Sequence, residues 1–545
     1  MSARDADAAQ TERPEPLVRI AALDLGSNSF HMIVVEARLD GTFLPLVREK
    51  ETLRLGDRVA KTGALGEVAM TEALEVIKRF IQIAQASKAD EVIALGTAAI
   101  REASDGTEFV ERVRAETGIE IKVVDGTREA ELIFTAVRSS VLIDPGPALA
   151  ADLGGGSLEL IVGDRAEIFY AASVPIGVGR LTAAIENDPL KDSDLRRLRR
   201  IVAETLDPVI DEIVARGPKQ FIVSSGTFLA LVRMAAAREE GTVHEIVNQL
   251  SVEREVFEEL ADEVFKLRAA DRAKLPGSDP RRAEQLPAGA VVLEYLLNET
   301  GFSELTASEW ALREGIVLDA IGAHDPVELL GDPRALRRWS VLSLCRRSNW
   351  RQPHARQVAT LATQLFDATR FLHARGADER ELLEFSAYLH DIGEHISHQG
   401  HDRHTAYLIE NGGLRGFSPS EIRILASIGR FHIRGTPKPS FEAFAELSED
   451  DAARAVELIA ILRLADALDA SHRGLVRAIE VSPLGPARTL TISVHTRADA
   501  GLELWSARRK QELFERIFGV DLAVSAAATS GAAYQKDSAN DSGFG

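Results

Sequence analysis

The sequence predicts a duplicated α/β fold, two halves of one design, followed by an all-α domain with a small terminal β-hairpin. Three observations carry that prediction. Asp24-Leu25-Gly26-Ser27-Asn28-Ser29 follows the largely apolar run Val18–Leu23, and Asp152-Leu153-Gly154-Gly155-Gly156-Ser157 follows Ala148–Ala151, so one strand–turn–strand unit occurs twice, 128 residues apart. Each copy leads into alternating strand-like and helix-like segments, the pattern of an α/β layer. From about residue 335 to 475 the periodicity is almost wholly helical.

Taken in order, residues 1–16 are polar and charged and are expected to be disordered. They contain no apolar h-region and so do not form a secretory signal. Over 17–140, domain I, the chain reads strand, hairpin, helix (about 67–87), strand (Glu91–Leu95), helix, strand (Ile119–Val124), then a helix from about Thr127, which Thr127 is expected to cap. Over 141–322, domain II, it reads a hairpin around Asp164, a helix at about 192–215, a strand at Gln220–Val223 and helices to about 321. Residues 323–334, with Pro326 and Pro333, form a linker. The helical domain, 335–520, closes on a hairpin (Ala478–Val481; Thr489–Val494), and 521–545, rich in Ala, Ser, Gly and Asp from about 526, is a disordered tail.

At 545 residues and 45% hydrophobic content, the chain is long enough for several buried cores. A single cysteine, Cys345, excludes an internal disulfide and suits a reducing interior. There is no run of 18 apolar residues to span a membrane. The expectation is a cytoplasmic protein with no membrane partner and no specific nucleic-acid partner.

The repeated turn has a chemical reading. Glycine lets the backbone approach a ligand so that successive N–H groups point at an anion, and an Asp at a strand end can hold a divalent cation directly or through water. One such turn is usually only a tight turn. Two in matching contexts point to a phosphate held between two halves, and they resemble the phosphate loops of the actin/Hsp70/sugar-kinase superfamily.

Further segments narrow the resemblance. They are Gly96-Thr97-Ala98-Ala99-Ile100-Arg101, Asp125-Gly126-Thr127-Arg128-Glu129-Ala130-Glu131-Leu132-Ile133, Ser224-Ser225-Gly226-Thr227, Arg282-Ala283-Glu284 and Leu312-Arg313-Glu314-Gly315. In this order they resemble the exopolyphosphatase/guanosine pentaphosphate phosphohydrolase (Ppx/GppA) family over roughly residues 18–515. The resemblance implies two actin-like α/β domains and a homodimer. It implies a Mg2+-dependent hydrolase (Mn2+ is the alternative) that removes the terminal phosphate of inorganic polyphosphate. Guanosine pentaphosphate is the alternative substrate, and a slowly turning nucleotide or polyphosphate sensor a further alternative. A sugar or acid kinase would need a purine pocket; Ser225-Gly226-Thr227 could belong to one, but the Glu129 and Arg282 elements favour the phosphatase branch.

Hydrolysing a phosphoanhydride requires positioning the phosphoryl group, screening its charge and aligning a water. Phosphate contacts are expected from Gly26, Ser27, Asn28, Ser29, Gly154, Gly155, Gly156, Ser157, Gly226 and Thr227, with Arg101 and Arg282 as fork-shaped donors. Asp24, Asp152 and Glu159 are the expected Mg2+ ligands; Glu159 stands seven residues after Asp152, where the family has a Glu. Glu129 matches the family's water-activating Glu. A first-turn Glu also suits the helix dipole, and Glu131 is the neighbouring alternative base.

In the helical domain His354, His390-Asp391 and Asp466 reproduce the H…HD…D pattern of the HD phosphohydrolase superfamily. They are a candidate second divalent-metal site, which His404 and His432 could complete; the other histidines from 395 to 401 read as a loop. A buried hydrogen-bonded cluster without metal is the alternative.

A net charge of −20 repels a long polyanion at a distance. Arg334, Arg337, Arg338, Arg346, Arg347, Arg351 and Arg356, with no acid among them, read as a polyanion track or a solvated helix face. Arg196, Arg197, Arg199 and Arg200, flanked by acids, read as a solvated face.

Overall fold

The computed structural model describes residues 17–38, 42–324, 335–438 and 440–527. The expected disordered start, most of the linker and the tail beyond 527 lie outside these residues.

Strands β1 (Leu17–Leu25), β2 (Ser29–Arg38), β3 (Phe43–Thr52), β4 (Glu91–Gly96) and β5 (Ile121–Val123) form a sheet in the order β3-β2-β1-β4-β5. β1, β2 and β3 are an antiparallel meander, and β4 and β5 join parallel. The second half repeats this with β6 (Ala148–Leu153), β7 (Leu158–Gly163), β8 (Ile168–Val174), β9 (Gln220–Ser224), β10 (Ser251–Glu253) and β11 (Glu304–Ala307), in the order β10-β11-β9-β6-β7-β8. β6–β8 are the meander, β9 and β11 the parallel strands, and β10 an added antiparallel edge. The duplication read from two short turns therefore extends to sheet topology.

Sequence accounts for these roles. β1 and β6 are covered on both faces, and their runs (Ile20-Ala21-Ala22-Leu23; Ala148-Leu149-Ala150-Ala151) are continuously apolar and buried. β3, at an edge, alternates half-buried with exposed residues along its whole length. One face of the first sheet packs on the helix Glu67–Ala86 through Phe80 and Ile77. The other joins Ile20, Ala22 and Ile33 to Ile161 and Ile222 of the second sheet and to Phe134 and Ile316, so one core runs between the halves.

The chain divides into two compact units, one running through Ser343 with Gly413–Pro419 added, the other comprising Leu344–Gly412 and the chain from Ser420. The second unit is helical apart from a sheet of β12 (Val476–Val481), β13 (Thr489–Thr496) and β14 (Asp521–Ala526). β14 corrects the expectation that the tail begins at 521. It pairs parallel with β13, and Leu522 and Val524, only 6% and 4% exposed, supply the alternation a half-buried strand needs. A composition biased to Ala and Ser obscured that two-residue signal. Among the described residues no helix is long and apolar enough to cross a membrane.

Candidate active site

Both repeated turns join the first two strands of a meander, and register fixes what stands beside each Asp. Asp24 pairs with His31, which pairs with Lys50; Asp152 pairs with Glu159, which pairs with Ser173, and on its other side with Ser224. The rows are equivalent in topology and different in chemistry. The turns touch: a side chain at Gly155 would put its Cβ 2.9 Å from Asn28 Cβ and 3.1 Å from Asn28 N. Only glycine permits that approach.

Glu129 lies in the first turn of the helix Gly126–Arg138. Asp125, rather than the expected Thr127, caps this helix, its Oδ1 accepting from Arg128 N at 2.8 Å. The helix begins one residue earlier than expected because Gly126 is its first residue; a Cβ there would lie 2.4 Å from Ser173 Cβ. Ser173 Oγ in turn donates to Glu159 Oε1 at 2.7 Å. The helix carrying Glu129 is thus packed directly against the second hairpin.

A cleft of about 450 Å³ is lined by Asp24, Gly26, Ser27, Asn28, Ser29, Glu129, Asp152, Gly154, Gly155, Gly156, Ser157, Glu159, Gly226, Thr227 and Arg282. Arg282 lies against Gly226, where an added Cβ would overlap its guanidinium at 2.0 Å. Arg101 differs from expectation. It does not line the cleft; its Nη1 donates to Val124 O at 2.7 Å and to Glu129 Oε2 at 3.2 Å. Glu129 is 6% exposed, and Arg101 supplies the charged partner that burial of its carboxylate requires. Glu131 pairs with Arg128, has a 41% exposed side chain and lies outside the cleft lining.

Burial pushes the Glu129 carboxyl up to about 7, with Asp152 and Glu102 adding to the rise against the opposing effect of Arg101. Burial also raises Asp24 to about 7, opposed by Arg313 and reinforced by Glu129 and Asp152. Asp152 rises to about 6 through burial, although Ser224 Oγ donates to its Oδ2 at 2.5 Å. Glu159 goes well above the carboxylate range through burial and then the charges of Glu129 and Asp152. Asp24, Asp152 and Glu159 are an all-oxygen donor set crowded with like charge, which fits a hard divalent cation such as Mg2+ or Mn2+.

Part of the cleft lining is basic. His31, Arg48, Lys50 and Arg313 line it, and sequence reasoning nominated none of them for the site. Burial, then Arg313, Lys50 and Arg282, lowers His31 to about 3; burial, then Arg282 and Arg281, lowers Lys50. His31 Nδ1, Ser225 Oγ and Thr227 Oγ1 are buried without a hydrogen-bond partner among the described residues. A polar, anionic ligand would satisfy all three. The offset of seven residues that singled out Glu159 from Asp152 also leads from Asp24 to His31, and that was the available signal.

In the helical unit His354, His390, Asp391, His432 and Asp466 come together. His404 does not join them; His401 does, its Nε2 3.2 Å from Asp391 Oδ1. His401 opens the helix His401–Asn411, and His404 lies about 4.5 Å further along its axis, nearly one turn away. Burial would raise Asp391, but His390, His401 and His432 hold it well below the carboxylate range.

The arginine stretch is largely engaged. Arg337 stacks over Phe417 at 4.3 Å, Arg347 donates to Gly412 O at 2.7 Å, Arg351 pairs with Glu394 at 3.0 Å, and Arg338 and Arg346 also have partners. Arg334 lies outside the described residues. This bonding weighs against a row of free cations. In the other cluster Arg197 and Arg199 pair with Glu186 and Glu294, as a solvated face would.

Residues 34–324 match the model of the Ppx/GppA phosphatase family, and 336–509 match Ppx/GppA phosphatase, domain III. The chain is 33% identical over 303 residues to Exopolyphosphatase 1 of Mycobacterium tuberculosis, covering 55% of this chain and 88% of that protein. An exopolyphosphatase structure from Cytophaga hutchinsonii is similar at 30% identity with a TM-score of 0.52, covering 56% of this chain and 98% of that one. A Ppx/GppA family member from Aquifex aeolicus is similar at 25% and 0.50, covering 57% and 99%. With an actin-like fold and both family models in agreement, the chain belongs to the Ppx/GppA phosphatase family and is a hydrolase of phosphoanhydride bonds.

Proposed function

We propose that the protein is an exopolyphosphatase that releases orthophosphate from the end of inorganic polyphosphate, with Glu129 as the general base. The observation that carries this reading is the position of Glu129, buried in one cleft with both glycine turns and raised to about 7. A base of that strength still accepts protons readily and is substantially ionised at neutral pH. Glu129 takes a proton from water as the water oxygen bonds to the terminal phosphorus; the anhydride P–O bond breaks, and its electron pair stays with the shortened chain. Arg101 orients the Glu129 carboxylate. The amides of Gly26–Asn28 and Gly155–Ser157 would donate to phosphate oxygens, with the Gly154 N–H closing the turn on Ser157 O, and Arg282, Lys50 and Arg313 would offset the charge of the chain behind them. Asp24, Asp152 and Glu159 would hold a divalent ion, which when bound supplies charge neutralisation on the transferring phosphoryl group.

The reading is supported by the basic part of the cleft lining, which suits a polyanion, and by the relatives described as exopolyphosphatases. The resemblance adds a homodimer in the cytoplasm. The test is phosphate release from long-chain polyphosphate, guanosine pentaphosphate and ATP side by side, with Mg2+ supplied or chelated. Preference for polyphosphate is expected. A higher kcat/KM on guanosine pentaphosphate would make the nucleotide the substrate, and undiminished activity in chelator would remove the divalent ion from the mechanism.

A further inference from the structure

A second cavity, of about 460 Å³, lies against the same glycine turns as the Glu129 cleft and shares Ser27, Asn28, Gly155, Gly156 and Val178 with it. Its other walls come mainly from the helices Leu55–Thr62, Ala98–Glu102 and Val178–Ala183. The backbone shows which side of the turns each cavity meets. Ser27 O and Asn28 O accept from Gly56 N at 2.8 Å and Arg54 N at 2.9 Å; Gly154 O and Gly155 O accept from Val178 N at 2.9 Å and Gly179 N at 3.0 Å. All four donors line the second cavity, so the turn carbonyls point toward its helices. In a trans peptide the N–H after a carbonyl points the opposite way, so the amides of Asn28, Gly155 and Gly156 point toward the cleft. The second cavity meets the turns from behind.

The same bonds set how firmly the turns are joined. Each turn is bonded within its own half, the first also through Ala99 N to Ser27 Oγ at 3.1 Å, and among the described residues no hydrogen bond links one turn to the other. They meet by contact alone, at Asn28 against Gly155. Beside them Arg180 Nη2 reaches across to Glu102 Oε2 at 2.6 Å, but these side chains are 38% and 39% exposed, and solvent screens such a pair. Charge separates the two cavities further. The basic part of the cleft lining, with Arg48, Lys50, Arg282 and Arg313, retains a polyanion. In the second cavity Arg54, Lys61 and Arg180 are matched by Asp57, Glu102 and Glu284, so it holds no net attraction for one.

Hydrolysis leaves two anions at the turns, an orthophosphate and a shortened chain that still occupies the basic residues. We propose that orthophosphate leaves through the second cavity, behind the turns, while the shortened chain keeps its place in the cleft. This rests on the exopolyphosphatase reading. Parting the turns breaks no hydrogen bond between them, and a charge-balanced passage lets a small anion through without holding it.

The test narrows the second cavity without touching the cleft. Ala60 and Ala183 are exposed on separate helices of its wall and lie outside the cleft lining, so Ala60→Trp and Ala183→Trp each obstruct it independently. With long-chain polyphosphate, acid quenching measures the orthophosphate formed in the first turnover, and a fluorescent phosphate sensor measures the orthophosphate set free. Formation is expected to stay within about two-fold of wild type while release slows by about 10-fold, so that a burst stoichiometric with enzyme appears in the quenched samples. Release that keeps pace with formation in both variants would overturn the inference. Slowed formation in a folded variant would overturn it too, by assigning the cavity to substrate binding or chemistry. If one variant does not fold, the other carries the test, and Ala183→Leu gives the same gap at smaller amplitude. A wild-type protein that forms no orthophosphate from polyphosphate would instead remove the exopolyphosphatase reading, and this inference with it.

Discussion

The two hairpins of the first unit share backbone, register and turn, and differ in the residue opposite the strand-end Asp. In the first, the row across the sheet runs Asp24, His31, Lys50; in the second it runs Ser224, Asp152, Glu159, Ser173. Cross-strand neighbours share a face, so each row acts as one chemical surface. In the first row His31 and Lys50, with Arg282 and Arg313 nearby, suit an anion, while Asp24, in the field of Glu129 and Asp152, belongs with the cation ligands. The second gathers carboxylates steadied by two hydroxyl donors and favours a cation. Duplication supplied a symmetric frame, and the residue seven positions after the Asp, His31 in one half and Glu159 in the other, sets which charge each row adds to the cleft.

The largest expected effect tests whether chemistry occurs between the rows. Glu129→Gln should lower kcat by about 10²–10⁴-fold while leaving polyphosphate binding in place, because the amide keeps its size but accepts no proton. Activity within a few-fold of wild type would exclude Glu129, and since Glu131 is paired with Arg128 outside the cleft, Glu131→Gln should change little.

The next test exchanges the rows' tasks. Glu159→Gln or Asp152→Asn should raise the Mg2+ concentration needed for half-maximal activity by about 10–100-fold. His31→Leu should leave that concentration unchanged and instead raise KM for polyphosphate by about 10-fold, through loss of one donor to a charged ligand. Equal shifts in Mg2+ requirement from His31→Leu and Glu159→Gln would end the division of labour between the two positions opposite the strand-end Asp. Within the second row, Ser173→Ala should weaken Mg2+ by about 10-fold, since its hydroxyl holds Glu159; a Mg2+ titration of activity reads this directly.

The smallest effect is in pH dependence. The carboxyl of Glu129 is raised, so its basic form is lost as pH falls, and kcat/KM should drop tenfold per pH unit below about 7. Arg101 opposes that rise, so Arg101→Met should move the acidic limb to higher pH. A limb that stays in place would mean that the titrating group is not Glu129.

Much of the site was legible because it lies in short, conformationally specific segments. Asp24, Gly26, Asp152 and Gly154 could be read from strand–turn pattern alone, whereas Glu129, a first-turn Glu that also suits the helix dipole, stood out only through the family resemblance. The boundaries of the helices Glu67–Ala86 and Asp192–Ala215 were equally legible from apolar periodicity. Arg101, read from its motif as a phosphate fork, is bonded through Nη1 to Val124 O and to the buried carboxylate of Glu129. His404 was preferred to His401 because sequence order does not give the axial position of a ring on its helix.

The sequence by itself determined the duplicated turns, the carboxylates and glycines in them, and the α/β-then-helical order, since each depends on backbone preferences over a few residues. Tertiary structure alone decided that His31 meets Lys50 and Asp24, that Ser173 joins the helix of Glu129 to Glu159, and that Asp391 stands between two pairs of histidines. Those contacts depend on strand register and helix packing between segments distant in the chain; a shift of one residue would turn each strand side chain to the opposite face and each helical one by about 100°.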